Sequence, residues 1–517
     1  MNCRQGLFTG ILAVVLSACG GGGGGGGGGS GNVPPPPPSP PPPSSDSVLR
    51  ALIADLGLSG DPAAGRVLPS IEDPLAQLGK KLFFTKSLSG DFDTACATCH
   101  HPALGGGDAL SLSIGPGADS PEVLGPGRSH SGGEMMARNA PTTFNIGLYD
   151  AGLFHDSRIE SIGKVAGANG AGTGIRTPDT PLNVEDPNAG ETLPAAQLRF
   201  PVTVADEMRG HSFLAGADNE TIRNRLAARI GDYDEGAGEL GENSWLEEFQ
   251  AAFASGLPAE QLISFDNIAL AIAEYQRSQV FVATPWRAYV QGDNGAISET
   301  AKQGALHFLR TPEQGGAGCS QCHSGDFFTN EQHHTIGFPQ VGPGKGDGDA
   351  GDDDFGRERE TGLQEDRYRF RTPTLLNIEV TGPYTHSGAY TGLVQATDHY
   401  AVPDIFIDDF FAADGMCGLP QFRDDPDCAT RFPNVLANTQ AAFQKMRAEQ
   451  TADPDATFPD VSQQTTQQQF DQIRAFLLAL TDPCVKDRAC LAPWIPEPDE
   501  DPDGNQLNAV AQNGDPL

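Results

Sequence analysis

Two five-residue stretches restrict this chain more than anything else in it. They are Cys96-Ala97-Thr98-Cys99-His100 and, 223 residues later, Cys319-Ser320-Gln321-Cys322-His323. Two cysteines followed directly by a histidine are what covalent attachment of haem c needs. Each thiol adds to a vinyl group, and the imidazole becomes an axial ligand of the iron. A bare Cys-x-x-Cys could instead hold zinc or form a redox disulfide. The adjoining histidine, twice in a chain with an export signal, favours haem. Cys96, Cys99, His100, Cys319, Cys322 and His323 are therefore the candidate cofactor-binding residues for two haem c groups. The rest of the chain is read as building, connecting and delivering these two irons.

Residues 1–18 read as an export signal, with Arg4 as its charged start and Leu7 to Leu16 as a short apolar run. That run is too short for a permanent membrane-spanning helix. Leu16-Ser17-Ala18-Cys19 resembles a bacterial lipobox, which implies cleavage before Cys19 and a lipid anchor there. The alternative is an ordinary secretory signal with an incidental cysteine. Residues 19–46 contain an unbroken glycine run and a proline-rich run, a flexible then stiff tether unable to bury a core. The expected location is the periplasm, lipid-anchored, with Gly20 after the acylated cysteine leaning toward the outer membrane by resemblance to sorting signals.

The formal charge of −35, from 33 basic and 68 acidic residues, argues against a nucleic-acid partner. It suits a basic electron-donor protein or simply a solvated acidic exterior. Four cysteines remain beyond the signal, the lipobox and the haem motifs. Proximity in an oxidising compartment suggests Cys417–Cys428 and Cys484–Cys490, although spacing alone leaves the connectivity open.

Helical periodicity is clear over Pro74 to Leu88 (Leu75, Leu78, Leu82, Phe83), Thr221 to Ile230, Pro258 to Val280 and Glu299 to Arg310. A closing helix carries Phe470, Ile473, Phe476, Leu477 and Leu480. A helix precedes each haem motif and glycine-rich loops follow the first, so the unit is duplicated. Residues 167–195 look like an inserted surface loop. The acidic run Asp347 to Asp354 reads as a solvated turn rather than a calcium loop. Strand signals are weak. The expected fold is mainly α, with two cytochrome c-like haem domains and long loops. The expected boundaries are 47–290 for the first haem domain, 291–492 for the second and 493–517 for a disordered tail.

Further motifs run in order between the two haem sites and beyond. They are Arg138-Asn139-Ala140-Pro141-Thr142, Phe154-His155-Asp156, Asp206-Glu207-Met208, Arg371-Thr372-Pro373-Thr374-Leu375-Leu376-Asn377 and Thr381-Gly382-Pro383-Tyr384-Thr385-His386-Ser387-Gly388. With the haem motifs, this set resembles the bacterial di-haem cytochrome c peroxidase family, which includes MauG. The resemblance implies that one haem reacts with hydrogen peroxide while the other relays electrons to it. It implies His100 and His323 as proximal ligands, Glu207 as the acid beside the reactive haem, and Gln197 as its companion. It also implies a calcium site between the domains, from Asn139 with the backbone oxygens of Thr381 and Pro383. A carboxylic acid near the iron can move a proton between the two peroxide oxygens, which is what O–O cleavage requires.

Three positions depart from the peroxidase pattern. Pro116 stands where many relatives carry a histidine that caps the first iron, so that iron is expected to be open without reductive activation. His130 is the alternative ligand. Tyr400 stands where peroxidases carry a methionine ligand to the second iron, as in MauG; His399, Met416 and Met446 are competitors. His155 replaces the tryptophan usually found between the haems. The expected function is a periplasmic di-haem peroxidase taking electrons from a small cytochrome c or cupredoxin. One alternative is a MauG-like oxidase modifying residues of a partner protein through high-valent haem. The other is a non-catalytic electron carrier. Whether the chain forms a homodimer is left open.

Overall fold

Two helix crossings, each made over a glycine, set the frame. In the computed structural model, which describes residues 44–131, 135–412, 415–423, 425–452 and 465–517, residues 44–517 form one compact unit. The signal, Cys19 and nearly all of the tether lie outside the described residues. The principal helices are α1 (Ser45–Asp55), α2 (Pro74–Phe84), α3 (Leu193–Gln197), α4 (Asn219–Gly231), α5 (Phe265–Arg277), α6 (Pro285–Val290), α7 (Glu299–Leu309), α8 (Leu393–Asp398) and α9 (Gln467–Leu478). The fold is mainly α.

Helix α2 starts at Pro74, where a missing N–H costs nothing, and buries Leu78, Leu82 and Phe83 against Ile268, Ile272 and Tyr275 of α5. At the crossing, a side chain on Gly79 would overlap the Ala271 carbonyl. Helix α7 repeats the design against α9. Ser298 caps its start by accepting from the Ala301 N–H at 3.1 Å, and Phe308 packs on Phe476 in the second core. Gly304 lies against the Gln472 carbonyl as Gly79 does against Ala271. Fully burying side chains such as Phe83 and Phe476 stabilises by about 1.5–3 kcal/mol each.

Two asparagines join the halves. Asn145 and Asn377 both take left-handed backbone, at φ 61° and 64°, a conformation asparagine tolerates better than most residues. Their side-chain amides converge on one carbonyl, that of Phe281, at 3.2 and 3.0 Å. Strands are few and short. β1 (Gly152–Leu153), β2 (Ile159–Ser161) and β3 (Ile175–Arg176) form an antiparallel sheet with Gly152 opposite Glu160 and Glu160 opposite Arg176. β4 (His333–His334) pairs with β5 (Phe370–Arg371).

Four expectations are corrected. The helix read over Pro258 to Val280 is interrupted at Ile263 and Ser264, because Ser264 serves as the N-cap of α5, accepting from the Asn267 N–H at 3.2 Å. The 167–195 segment is more than a surface loop: Ile175, Ala189 and Leu193 are buried, and it supplies β3. Helix α1 belongs to the second core, where Leu49 and Ile53 are buried, although it precedes the first haem motif. The 493–517 tail is ordered. Ile495, Leu507 and Ala509 are buried in the first core, the Leu507 N–H donates to the Phe84 carbonyl at 2.8 Å, and Trp245 Nε1 donates to Asp503 at 2.7 Å. Its prolines and aspartates disguised the apolar residues spaced between them. Both expected disulfides are present, Cys417–Cys428 and Cys484–Cys490.

Candidate active site

The first motif forms a single helical turn, Cys96–Cys99, closed by the Ala95 N–H donating to Thr98 Oγ1 at 2.9 Å. It delivers His100 into a glycine-rich loop, where Nδ1 lies 3.2 Å from the Gly106 carbonyl. Gly106 is left-handed at φ 72°, and a side chain on Gly105 would overlap the Val380 carbonyl. The second motif opens with a tighter turn, Cys319–Gln321, and His323 Nδ1 lies 3.2 Å from the Phe328 carbonyl. Burial lowers both imidazoles, His323 to about 4. A neutral ring that donates Nδ1–H to a carbonyl presents its Nε2 lone pair, which is the ligand geometry haem iron needs.

All four motif thiols are unpaired. Burial pushes Cys96, Cys99 and Cys319 up to about 12 and Cys322 to about 11. Thiols so reluctant to ionise are poor redox nucleophiles. Among the described residues, no group of three or more His, Cys, Asp or Glu side chains is arranged to hold a metal ion. The residues fit haem better than either zinc or a redox disulfide.

Glu207 sits in a wide turn, Ala205–Arg209, anchored by the buried Met208 in the first core. Its carboxylate is 13% exposed and lies 3.7 Å from Arg158 Nη2. The loop carrying Pro116 packs on this turn so closely that a side chain on Gly115 would overlap the Asp206 carbonyl. Arg128, 2% exposed, pins that loop: its guanidinium donates to the carbonyls of Ile114 at 2.7 Å, Gly115 at 3.1 Å, Pro121 at 3.0 Å and Val123 at 3.2 Å. The Gly117 N–H adds a bond to Asp93 at 2.7 Å. His130, the alternative ligand, instead faces Arg431, Asp119 and Asp425. Gln197 ends α3 and lines a cavity with Pro141, His155 and the second motif, and it shares no hydrogen bond with Glu207.

That cavity is the second candidate haem pocket. Cys319, Cys322 and His323 line it, and so does Tyr400. Burial and the neighbouring Cys322 and Cys319 raise the Tyr400 phenol. None of the three competing ligands lines the cavity. Both ring nitrogens of His399 are engaged, Nδ1 with the Tyr390 hydroxyl at 2.9 Å and Nε2 with the Ile336 carbonyl at 3.1 Å. Met416 Sδ accepts from the Gly342 N–H at 3.1 Å inside a separate apolar cluster, and Met446 is 1% exposed beneath Gly337. His155 lines the cavity with Nε2 3.0 Å from the Asn139 carbonyl.

Asn139, Thr381 and Pro383 share the cavity wall. The Asn139 amide nitrogen donates to the Leu110 and Ser111 carbonyls at 2.9 and 3.3 Å. Its Oδ1 accepts no hydrogen bond among the described residues, so these donors fit a calcium ion. The acidic run does not. Asp347 is held by Arg359, Asp352 by Asn434, Asp353 by Gln340 and Tyr368, and Asp354 by Arg138. Nor is it simply solvated, since Asp353 and Asp354 are only 6% and 2% exposed.

Sequence reasoning missed the groups that hold these parts in place. Arg138 donates from Nε and Nη2 to Asp354 at 2.6 and 2.7 Å, and from Nη1 to Asp156 at 2.5 Å. Burial opposes ionisation of Asp354, but Arg138 overrides it and holds the carboxyl down to about 2. Burial opposes Asp156 too, yet Arg138 and Arg158 keep it far below the ordinary range. These partners lie far apart in sequence. Arg138, which opens one motif, and Arg158, two residues beyond another, were the available signal.

A mainly α chain with two covalent haem motifs, each histidine oriented through Nδ1, defines a di-haem c-type oxidoreductase. Residues 73–295 match the family model described as di-haem cytochrome c peroxidase. The family implies two c-type haems. The chain is similar to the methylamine utilization protein MauG of Methylorubrum extorquens, 28% identical over 323 residues, 62% of this chain and 67% of that protein. It is also similar to the cytochrome c551 peroxidase of Pseudomonas aeruginosa, 28% identical over 327 residues, 63% of this chain and 71% of that protein. A crystal structure of a MauG-like protein associated with microbial copper homeostasis aligns with a TM-score of 0.50 at 19% identity. The alignment covers 83% of this chain and 96% of that one, and speaks to the fold alone.

Proposed function

We propose that this chain is a periplasmic, lipid-anchored enzyme of two cytochrome c-like haem domains that reduces hydrogen peroxide to water at the His100 haem. The electrons come from a small cytochrome c or cupredoxin through the His323 haem. The observation that carries this reading is the Pro116 loop, clamped by Arg128 against the Glu207 turn. Proline offers no ligand, and the clamp opposes a loop movement that would bring one. The bound haem supplies the redox chemistry. Glu207 takes a proton from the near peroxide oxygen and returns it to the far one, so that the leaving oxygen departs as water. Calcium is assigned to the Asn139, Thr381 and Pro383 oxygens, while Gln197, which lines the second cavity, is given no part in the peroxide step.

A second reading has its own observation. Tyr400 faces the second cavity where a peroxidase has methionine, and a phenolate favours ferric iron. That arrangement suits a MauG-like oxidase drawing electrons from residues of a partner protein. Steady-state turnover of peroxide with reduced cytochrome c, paired with electron paramagnetic resonance of the ferric protein and its Tyr400→Met variant, separates the readings. Rapid turnover supports the peroxidase. Negligible turnover, with a low-spin signal that changes in the variant, supports the MauG-like reaction. Two unchanged low-spin signals would point instead to a peroxidase that needs reductive activation or to a non-catalytic electron carrier.

A further inference from the structure

Glu207 ends an unbroken chain of charges that begins in the other half of the molecule. Asp354, from the segment after the second motif, grips Arg138 through two bonds at 2.6 and 2.7 Å. Arg138 reaches Asp156 at 2.5 Å, Asp156 Oδ2 lies 3.5 Å from Arg158 Nη1, and Arg158 Nη2 lies 3.7 Å from Glu207 Oε1. The first three members are buried, with side chains 3%, 6% and 1% exposed. Arg158 is held on two further sides: its guanidinium carbon stands 3.6 Å from the Phe154 ring centroid, and its backbone N–H donates to Asp156 at 3.1 Å. Lys345, on the same segment as Asp354, is within electrostatic reach of Glu207, Asp156 and both arginines.

The distances grade along the chain. Asp354 and Asp156 are locked by close, charge-assisted bonds, whereas Glu207 is longer than hydrogen-bond distance from its arginine. A close grip would tie up the carboxylate oxygens, and no grip would let a side chain on an irregular turn swing away. An arginine at 3.7 Å restrains the carboxylate while leaving its oxygens able to exchange a proton. We infer that Arg158 is the positioning residue of the peroxide acid, set in place by the Asp156–Arg138–Asp354 network, so that the second half of the molecule aims the acid of the first haem. This rests on the reading of Glu207 given above and adds what orients it.

The test is stopped-flow reaction of the ferric di-haem protein with hydrogen peroxide, with haem content and the ferric resonance spectrum as checks on the pocket. E207Q is expected to slow the reaction by about 100-fold or more, the scale of general acid–base catalysis. R158M is expected to slow it about 10- to 100-fold with the resonance spectrum unchanged, and R158K to recover part of that loss. Because Arg158 acts through Glu207, R158M/E207Q should be no slower than E207Q alone. A normal rate in R158M beside a slow E207Q overturns the inference and leaves the acid standing. Multiplying losses in the double variant also overturn it, since Arg158 would then act on peroxide independently. A normal rate in E207Q removes the acid itself. Should R158M fail to incorporate haem, R158Q decides: a rate within about twofold of the parent overturns the inference.

Discussion

The Arg138–Asp354 pair makes acid stability a measurable property of one substitution. Asp354→Asn keeps the side chain's shape but removes the charge that faces Arg138 Nε and Nη2. Breaking a buried ion pair from one side costs about 3–5 kcal/mol, because the remaining charge loses its partner; here Asp156 still serves Nη1, which favours the lower figure. The sign with pH follows from the depressed carboxyl. Held at about 2 instead of the ordinary 3.8, it contributes stability above pH 4 that is lost as pH falls through 2. That contribution is about 2.5 kcal/mol. The penalty of Asp354→Asn should therefore be about 3 kcal/mol at pH 7 and shrink by about 2 kcal/mol near pH 2. Urea unfolding of both proteins at the two pH values, followed by far-ultraviolet circular dichroism, reads the difference. An equal penalty at both would mean that Asp354 is not held ionised by Arg138.

Gly79→Ala and Gly304→Ala should each lose at least about 3 kcal/mol and most of the haem on the affected half, because the new methyl meets a backbone carbonyl that cannot yield. Pyridine haemochrome content and thermal unfolding check this, and full haem loading in both variants would refute the crossing geometry. Chelation of calcium is expected to slow electron exchange between the haems, and Asn139→Ala should reproduce that effect without chelator. A variant indistinguishable from the parent in metal content would remove Asn139 from the site.

What was legible in the sequence was chemistry confined to neighbours. Cys96 to His100 and Cys319 to His323 are each one short contiguous stretch, and the helices around them carry strong periodicity. The disulfides join cysteines only 11 and 6 positions apart. What escaped was assembled over distance. Asp354 and Arg138 lie 216 positions apart, and nothing local distinguishes Asp354 from the other acids of its run. Ser264 divided an apparently continuous helix because a cap competes with the apolar pattern on either side of it. Tail residues Leu507 and Ala509 are separated by polar neighbours and have no period of their own. The stretch follows Phe84 and Glu122, whose carbonyls accept the N–H groups of Leu507 and Val510.

The exchange of ends has a consequence for how this molecule is made. Helix α1 is among the first described segments to emerge, yet its core partners are α7 and the residues around it. Ile495, Leu507 and Ala509, far downstream, complete the core that surrounds the first haem motif. Neither half can close by itself: the early one waits for the tail, and the late one borrows its outer helix from the start. Maturation is then a clasp fastened from both sides, and a haem joined to Cys96 and Cys99 before Ile495, Leu507 and Ala509 dock enters a pocket still missing one wall.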